Sequence, residues 1–456
     1  MRRRLLLAYL LLLVASNVYR LTVPRPLEVA DGGRLFTTAD GVRVAYDFDE
    51  AETPPTVQEL LSPEAAPALL LLHGSPGSRN DFDEVRRLLP PDITVVAPDL
   101  PGFGESWTRS GDFGADAHAR VVLELLENLE LPRVHVLGFS MGGGVALELA
   151  QLDPARVASV QLLGAIGVQE LELFGSHTLN HAVHAGQLGL MTATTWLLPH
   201  FGRLDRFPLN VAYARNFYDT DQRPYRAWLE ATEVPVQVIH GVEDFLVPIE
   251  AAREHRRIVP HAELVELDGS HFLPWTHKQE VATLVADFVR RAAAGEARTR
   301  GRATTAELSR AEEPFDPGSV PPFTGPTLLV AMILLALATL VSEDLTCIAT
   351  GLLVAQGRIS LLAGASACFA GIFIGDMLLF LAGRKLGRPA ICRAPLKWMV
   401  SSGGVERASQ WFRRRGPWVI FLSRFMPGLR LPTYFAAGVL KTKVLWFASY
   451  FALAGV

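Results

Sequence analysis

One serine in the chain has the local sequence that nucleophilic catalysis needs. Ser140 is the central residue of Gly138-Phe139-Ser140-Met141-Gly142, which follows an apolar run at 134–137 and precedes a helix-like stretch at 144–149. A G-x-S-x-G sequence between a strand and a helix forces a tight turn that exposes the serine Oγ at the top of a sheet. Ser140 is therefore the candidate nucleophile.

A serine hydroxyl is protonated at neutral pH, so it needs a base within reach and an acid that orients this base. Asp244 comes just after the predicted strand 234–240 and is the candidate acid. His271 comes just after the predicted strand 262–267 and is the candidate base. Glu243 and Asp268 are alternatives to Asp244. The order Ser, Asp, His along the chain is one of the three that triad enzymes use.

At these motifs residues 35–291 resemble an α/β-hydrolase of the broad lipase, esterase and peptidase superfamily. The run His73-Gly74-Ser75-Pro76-Gly77-Ser78 and the segment 98–106 also resemble the loops around that family's site. The resemblance implies a doubly wound α/β sheet with a helical cap, and an oxyanion hole formed by the backbone N–H groups of Ser75 and Met141. A serine nucleophile disfavours the epoxide and halide chemistry of relatives that carry aspartate, so hydrolysis of a carboxylic ester is the main expectation. The resemblance implies no cofactor.

The stretch between the predicted strands 158–164 and 234–240, about 165–232, is longer than a crossover helix requires and predicts a cap. Its apolar and aromatic residues suit an acyl substrate, although packing against the sheet would also explain them. His177, His181 and His184 recur at helical spacing. A zinc site usually has a more compact ligand set with supporting carboxylates, so no metal is predicted there.

A second region, 327–456, has the composition of a membrane domain. The run 359–382 is long enough to cross a bilayer, whereas 345–355 is short enough to be re-entrant, and together they predict an all-α polytopic domain. Ionisable residues inside such segments are expensive and are therefore functional candidates. Four of these candidates form the predicted polar site, namely Glu343, Asp376, Arg424 and Arg430.

The acidic residue after the first segment, the glycine-spaced run before Asp376, and the sequence between Arg424 and Arg430 resemble the DedA family, also called SNARE-associated or VTT. The family is linked to moving or scrambling lipids. Arginines facing carboxylates at membrane depth could bind a phosphate headgroup and carry a proton; a buried structural ion pair is the alternative. The chain ends inside an apolar run, so an incomplete domain is one expectation.

Residues 1–25 combine Arg2 to Arg4 with an apolar run, which predicts a signal anchor or a signal peptide. Positive residues at this end and between 384 and 415 give conflicting orientations for the hydrolase-like region. Residues 292–326 lack apolar periodicity and predict a flexible linker. The formal net charge of -4 gives no reason to expect a nucleic-acid partner.

These patterns together predict a membrane-bound serine hydrolase that acts on a lipid-related ester or acyl substrate and is fused to a DedA-like lipid-handling domain. The alternative is a DedA-type lipid transporter or scramblase with an accessory hydrolase domain. A multi-pass location in a bacterial inner membrane is expected, with the bilayer and a lipid or small acyl substrate as partners. The oligomeric state stays open.

Overall fold

The computed structural model describes most of the chain. It covers residues 2–22, 29, 32–51, 67–108, 111–172, 174–316, 318, 320, 322–340, 342–387, 389, 391, 401–416, 418–424, 426 and 429–455. Phe425, Pro427 and Gly428 of the DedA-like motif lie outside the described residues. The chain forms two compact units, Met1–Phe315 and Asp316–Val456.

A mixed eight-stranded sheet forms the centre of the first unit. The strands, β1 to β8, are Arg34–Thr37, Arg43–Asp49, Ala68–Leu72, Thr94–Pro98, Val134–Phe139, Val157–Leu163, Val236–Gly241 and Glu263–Leu267. Their spatial order is β1-β2-β4-β3-β5-β6-β7-β8. The pairs β1/β2 and β2/β4 are antiparallel, and every other pair is parallel. The predicted doubly wound sheet is thereby confirmed.

The parallel strands are apolar on both faces because helices cover both faces. All five residues of β3 are buried, and its Leu69 and Leu71 belong to a core cluster with Val281 and Val285. Removing a side chain such as Leu71 from this core would cost about 2–5 kcal/mol. The helices of the unit, α1 to α11, are Arg2–Thr22, Asp83–Arg86, Ala115–Asn128, Met141–Leu152, His177–Leu197, Val211–Asp219, Tyr225–Ala231, Ile249–Ile258, Leu273–Thr276, Lys278–Ala293 and Thr305–Ala311.

The segment between β6 and β7 contains three of these helices, α5, α6 and α7. Asn210 caps α6 by accepting a hydrogen bond from the Tyr213 N–H at 3.0 Å. Tyr225 of α7 is fully buried and lies against the sheet-facing helix α4, where a Cβ at Gly144 would approach its hydroxyl to 3.2 Å. The cap is therefore packed on the hydrolase-like core by its second half.

The predicted flexible linker is partly ordered in the structure. Thr304 and Glu307 form a capping box that starts α11, and Glu307 accepts hydrogen bonds from Arg256 and Arg298, both at 2.9 Å. Ala311 is buried at the other end of this helix. Residues 294–315 thus pack on the first unit, a difference from the expected tether that arises because charged residues here find partners on α8.

Every α-helix or strand that the structure describes in the second unit is a helix. Its helices, α12 to α18, are Gly325–Ala338, Glu343–Ala355, Leu361–Leu386, Ser402–Arg415, Trp418–Arg424, Arg430–Val439 and Val444–Gly455. Glycines allow close helix contacts: a Cβ at Gly371 would lie 2.2 Å from the Ala336 carbonyl oxygen, and one at Gly438 would lie 2.0 Å from that of Phe380. Such contacts between small residues are typical of helices packed in a membrane.

Two described helices are long and apolar enough to cross a bilayer, Arg4–Thr22 and Leu361–Leu386. Two shorter apolar helices are Thr327–Ala338 and Val444–Leu453. The predicted span 359–382 coincides with the second long helix. The segment 345–355 is the helix α13, and its re-entrant path stays a prediction.

Candidate active site and membrane-unit polar cluster

Ser140 occupies a strained turn between β5 and α4. Its backbone angles are φ 53° and ψ -117°, which side chains other than glycine rarely adopt. Glycines on both sides leave room for the turn, because a Cβ at Gly142 would lie 2.2 Å from the Leu72 carbonyl oxygen and one at Gly138 2.3 Å from that of Gly142. The Ser140 N–H donates to the Leu163 carbonyl at 3.0 Å. The turn therefore holds the serine at the carboxyl ends of the parallel strands.

Asp244 and His271 meet at the same edge of the sheet. The Nδ1 atom of His271 lies 2.6 Å from Oδ2 of Asp244, and both side chains are buried. The other oxygen, Oδ1, accepts the N–H groups of Leu246 and Val247, each at 2.9 Å. Among the described residues, Asp244 and neither Glu243 nor Asp268 forms a hydrogen bond with this imidazole ring.

One further contact completes the surroundings of Asp244. The Nε2 atom of His240 lies 3.3 Å from Oδ2 of Asp244. Burial alone would raise the pKa of Asp244, but hydrogen bonds from His240 and His271 and their charge outweigh burial and lower the pKa to about 2. Asp244 is therefore ionised across the physiological range and can stabilise an imidazolium on His271.

The ends of β5 and β6 bring this pair next to the serine turn. Phe139, the residue before Ser140, has its ring centroid 5.0 Å from that of His271. Gly164 follows β6 at φ 51°, and a Cβ there would come within 3.4 Å of His271 Nδ1 and 3.5 Å of Asp244 Oδ2. The structure thus places Asp244 and His271 at the strand ends beside the turn that carries Ser140.

The predicted oxyanion-hole residues border Ser140. A Cβ at Gly74 would lie 3.1 Å from the Ser140 Cβ, so the loop that contains Ser75 passes beside Ser140. Met141 is the first residue of α4, where the backbone N–H has no intrahelical acceptor. Both N–H groups therefore belong to the backbone that surrounds the serine.

A buried ionic network supports the Ser75 loop. Arg79 is 3% exposed, and its guanidinium contacts Asp99 at 2.5 Å, Glu105 at 2.7 Å and Asp47 at 3.1 Å. Asp99 also accepts the Arg79 backbone N–H at 2.7 Å. Sequence analysis did not single out Arg79, because its three carboxylates come from separate strands and loops. Its position directly after the loop at 73–78 was the available signal.

His73 shapes the same loop. Its Nδ1 lies 2.7 Å from the Gly74 carbonyl oxygen, and its Nε2 accepts the Leu100 N–H at 2.9 Å. Burial lowers the pKa of His73, in keeping with a neutral ring that donates from Nδ1 and accepts at Nε2. The position of His73 agrees with a structural role.

An exposed aromatic rim continues outward from the histidine. Phe245, Phe272 and Trp275 expose 56%, 43% and 42% of their surface. Phe272 lies 6.3 Å from Phe245 and 5.9 Å from Trp275 between ring centroids, and Trp275 lies 5.8 Å from Phe139. An apolar group would therefore find aromatic surface next to the proposed reacting atoms.

The cap histidines interact with aromatic and acidic neighbours. His181 stacks on His177 and on Tyr218, with centroid distances of 5.3 and 4.1 Å. The Nε2 atom of His184 lies 3.1 Å from Glu172. Within the residues that the structure describes, no group of three or more His, Cys, Asp or Glu side chains is arranged to hold a metal ion.

The four polar candidates of the second unit also lie together. Arg430 forms a two-pronged ion pair with Glu343. Asp376 is 3% exposed and lies 3.6 Å from Arg430 Nε and 3.9 Å from Arg424. Arg424 also sits 4.9 Å from the Phe451 ring. Among the described atoms, the Asp376 Oδ2 and one guanidinium nitrogen of Arg424 are buried without a hydrogen-bond partner.

The strand order, the serine turn and the Asp–His pair define the first unit as an α/β-hydrolase. Family comparison agrees, because residues 67–185 match the alpha/beta hydrolase fold and residues 329–456 match the VTT domain. The chain therefore belongs to the α/β-hydrolase family and joins this fold to a VTT domain, which associates it with a membrane.

Individual relatives are similar over the first unit. The uncharacterized protein Rv2715 of Mycobacterium tuberculosis is 30% identical over 244 residues, covering 46% of this chain and 71% of that protein. The pimeloyl-[acyl-carrier protein] methyl ester esterase of Aromatoleum aromaticum is 30% identical over 261 residues, covering 49% and 98%. An esterase from Exiguobacterium antarcticum gives a TM-score of 0.45 at 18% identity, covering 57% of this chain and 99% of that structure.

Proposed function

We propose that this chain is a membrane-bound serine hydrolase that cleaves the carboxylic ester of a lipid or another acylated compound. The observation that carries the proposal is the 2.6 Å contact between Asp244 and His271 at the strand edge that holds the strained Ser140 turn. The exposed aromatic rim beside His271 supports an acyl substrate. The name of the methyl ester esterase relative supports ester chemistry.

In the proposed mechanism, the Ser140 Oγ attacks the ester carbonyl while His271 Nε2 takes its proton. The carbonyl oxygen of the ester becomes an oxyanion that accepts hydrogen bonds from the N–H groups of Ser75 and Met141. His271 then returns the proton to the leaving alcohol, which departs from the acyl-enzyme. Water attacks this ester by the same route, with His271 again as base, and releases the acid.

Asp244 orients the ring of His271 throughout these steps. Its contact with Nδ1 leaves Nε2 free to accept the serine proton, and its charge stabilises the imidazolium that forms. Because two backbone N–H groups and His240 hold Asp244, the carboxylate needs no rearrangement during the reaction. This preorganisation is the main source of rate enhancement that the site offers.

A fluorophosphonate probe tests the proposal, because it labels a serine only where a base activates it. Membranes containing the wild-type chain should be labelled, whereas Ser140→Ala and His271→Ala should both lose labelling. His177→Ala, a cap histidine outside the proposed triad, is the matched control and should keep it. Absence of labelling in folded wild-type protein would reject the hydrolase.

A second candidate is a lipid transporter or scramblase of the DedA type with an accessory hydrolase. The buried cluster of Asp376, Arg424 and Arg430 favours it, since arginines without full hydrogen-bond complements can bind a phosphate headgroup. The two candidates differ in which variant fails. A lipid-transfer phenotype that survives Ser140→Ala and is lost in Arg424→Ala would support the transporter.

The proposed location is a bacterial inner membrane, with the second unit crossing it more than once. The VTT match and the 26-residue helix Leu361–Leu386 support this placement. Protease protection of tags inserted between helices of the second unit would test the number of crossings.

A further inference from the structure

The N-terminal helix α1 makes specific polar contacts with the cap. The Ser16 hydroxyl accepts the backbone N–H groups of His200 and Phe201 at 2.9 and 2.8 Å, and Ser16 is fully buried. Arg20 forms a two-pronged ion pair with Asp205, at 2.8 and 2.9 Å. A removable leader has no need for such contacts, whereas a permanent part of the fold does.

These contacts occupy one stripe of α1. Tyr9 lies on the same side as Ser16 and Arg20, and its hydroxyl donates to the Leu197 carbonyl. Spacings of seven and eleven residues return to one helix face. The contact runs for about 16 Å along the axis, at 1.5 Å per residue. The other faces carry exposed apolar side chains, including Leu5, Leu6, Leu7, Leu10, Leu11, Leu12, Val14 and Val18.

The cap exposes large apolar side chains at and near this contact. Trp196 lies under the Arg20 guanidinium at 5.3 Å, and Phe201 contacts the Tyr19 ring at 5.9 Å. Six exposed side chains form what we call the cap patch, namely Leu190, Trp196, Leu197, Leu198, Phe201 and Phe207. An apolar surface rich in leucine and aromatic residues is typical of a protein that enters the interfacial layer of a bilayer.

We propose that α1 is a retained membrane anchor and that the cap patch beside it inserts into the lipid bilayer. The helix Arg4–Thr22 is apolar and long enough to cross a membrane. Because the cap is fixed along about half the length of this helix, the cap patch beside it would enter the same bilayer. The polar atoms of the contact are paired within the protein, as membrane depth requires. The inference rests on the membrane attachment in the proposed function and is independent of Ser140 chemistry.

Lipid is the occupant that the observations favour over a second protein surface. The cap patch and the exposed leucines of α1 are both apolar, and the polar groups of the contact between helix and cap are paired with one another. Trp196, Tyr19 and Arg20 add the aromatic and basic side chains that are enriched at membrane interfaces. In keeping with the proposed function, the cap would then take up an acyl substrate directly from the bilayer.

Photo-crosslinking tests the surface in the full chain. Leu197, 60% exposed in the cap patch, is replaced by p-benzoylphenylalanine, and the protein is reconstituted into phosphatidylethanolamine and phosphatidylglycerol vesicles. The matched control is the same replacement at Leu152, which is 37% exposed at the far end of α4. We expect lipid adducts at 197 and none at 152. A crosslink from position 197 to residues 316–456 or to a second copy of the chain would overturn the proposal. The absence of any adduct would overturn it as well.

The ion pair provides a second test. Arg20→Asp should abolish the lipid adduct at 197, and the double exchange of Arg20→Asp with Asp205→Arg should restore it. Intact mass should show residues 2–22 still present; their removal would overturn the proposal. Fluorophosphonate labelling of Ser140 in the same samples separates the two proposals, because loss of the adduct with retained labelling rejects only the membrane surface, whereas loss of labelling with a retained adduct rejects only the hydrolase.

Discussion

The two units hold their buried carboxylates in different ways. Asp244 accepts hydrogen bonds from two backbone N–H groups and from His271, all between 2.6 and 2.9 Å. Asp376 has its nearest cations at 3.6 and 3.9 Å, and its Oδ2 has no hydrogen-bond partner among the described atoms. The first arrangement is complete before any substrate arrives. The second leaves donors and an acceptor for a ligand to engage.

This difference teaches what each cluster can do. A complete network lowers the reorganisation that a reaction requires, which suits chemistry at one fixed point. A network with unpaired polar groups destabilises the folded state until a ligand or a conformational change supplies the missing partners, which suits binding and release. The chain thus joins a preorganised site to an adaptable one.

The largest expected effect comes from disturbing the complete network. Asp244→Asn should lower kcat for a p-nitrophenyl ester by about 10⁴-fold with little change in KM, because the amide cannot stabilise the imidazolium and favours the wrong His271 tautomer. Asp268→Asn is the matched control and should keep kcat within about twofold. An equal decrease in kcat in the two variants would show that Asp244 is not the residue that orients His271.

Next in size is the ionic network behind the Ser75 loop. Arg79→Met should destabilise the first unit by about 3–5 kcal/mol, because Asp99 would stay buried without its cation. Thermal unfolding followed by tryptophan fluorescence measures this loss. Arg34→Met, which breaks an exposed pair with Glu50, should change stability by less than about 1 kcal/mol. Similar losses would contradict the assignment of Arg79 as the buried support.

Removing the charge of Glu343 and removing the charge of Asp376 should change the stability of the second unit by different amounts. Glu343→Gln should destabilise the second unit by about 2 kcal/mol, since Arg430 would lose its two-pronged partner. Asp376→Asn should cost less than about 1 kcal/mol, since it removes a buried charge that no hydrogen bond compensates at Oδ2. Unfolding in detergent, with ester hydrolysis unchanged in both variants, checks this. A larger loss in Asp376→Asn would mean that its carboxylate is structurally satisfied.

The residues that sequence analysis found and missed differ in one physical respect. Ser140, Asp244 and His271 each lie within four residues of the end of a predicted strand, and position relative to a strand end is a local property of the sequence. Arg79 and the α1 residues Ser16 and Arg20 bind partners that are distant along the chain, so a local pattern does not identify those partners. The helical cap was predictable from length alone, whereas its contact with α1 was not.

The same reasoning explains the segment 292–326. Its lack of apolar periodicity suggested a flexible linker, yet Arg256, Arg298 and Glu307 hold its first half on α8. Charged partners replace apolar burial here, and hydrophobic periodicity cannot report such contacts.

The smallest effect concerns Glu148, an exception within the preorganised unit. It lies on α4, the helix that follows Ser140, and is 8% exposed. Burial, joined by the charge of Asp116, raises the pKa of its carboxyl to about 7. The folded state then holds a proton that the unfolded state releases near pH 4.5, so this group's contribution to stability is present below pH 4.5 and is lost as the pH rises toward 7.

Glu148→Gln should remove that pH dependence. Relative to wild type, the variant should gain at least about 1 kcal/mol between pH 4.5 and pH 8, because the wild-type carboxyl must ionise in a buried site as the pH rises. Thermal unfolding at the two pH values measures the gain, with the exposed Glu127→Gln as the matched control. If the stability difference between variant and wild type is the same at both pH values, the pKa of Glu148 is not raised in the folded state. Glu148 would then resemble Asp244, a buried carboxylate whose partners compensate for burial, and both would differ from Asp376.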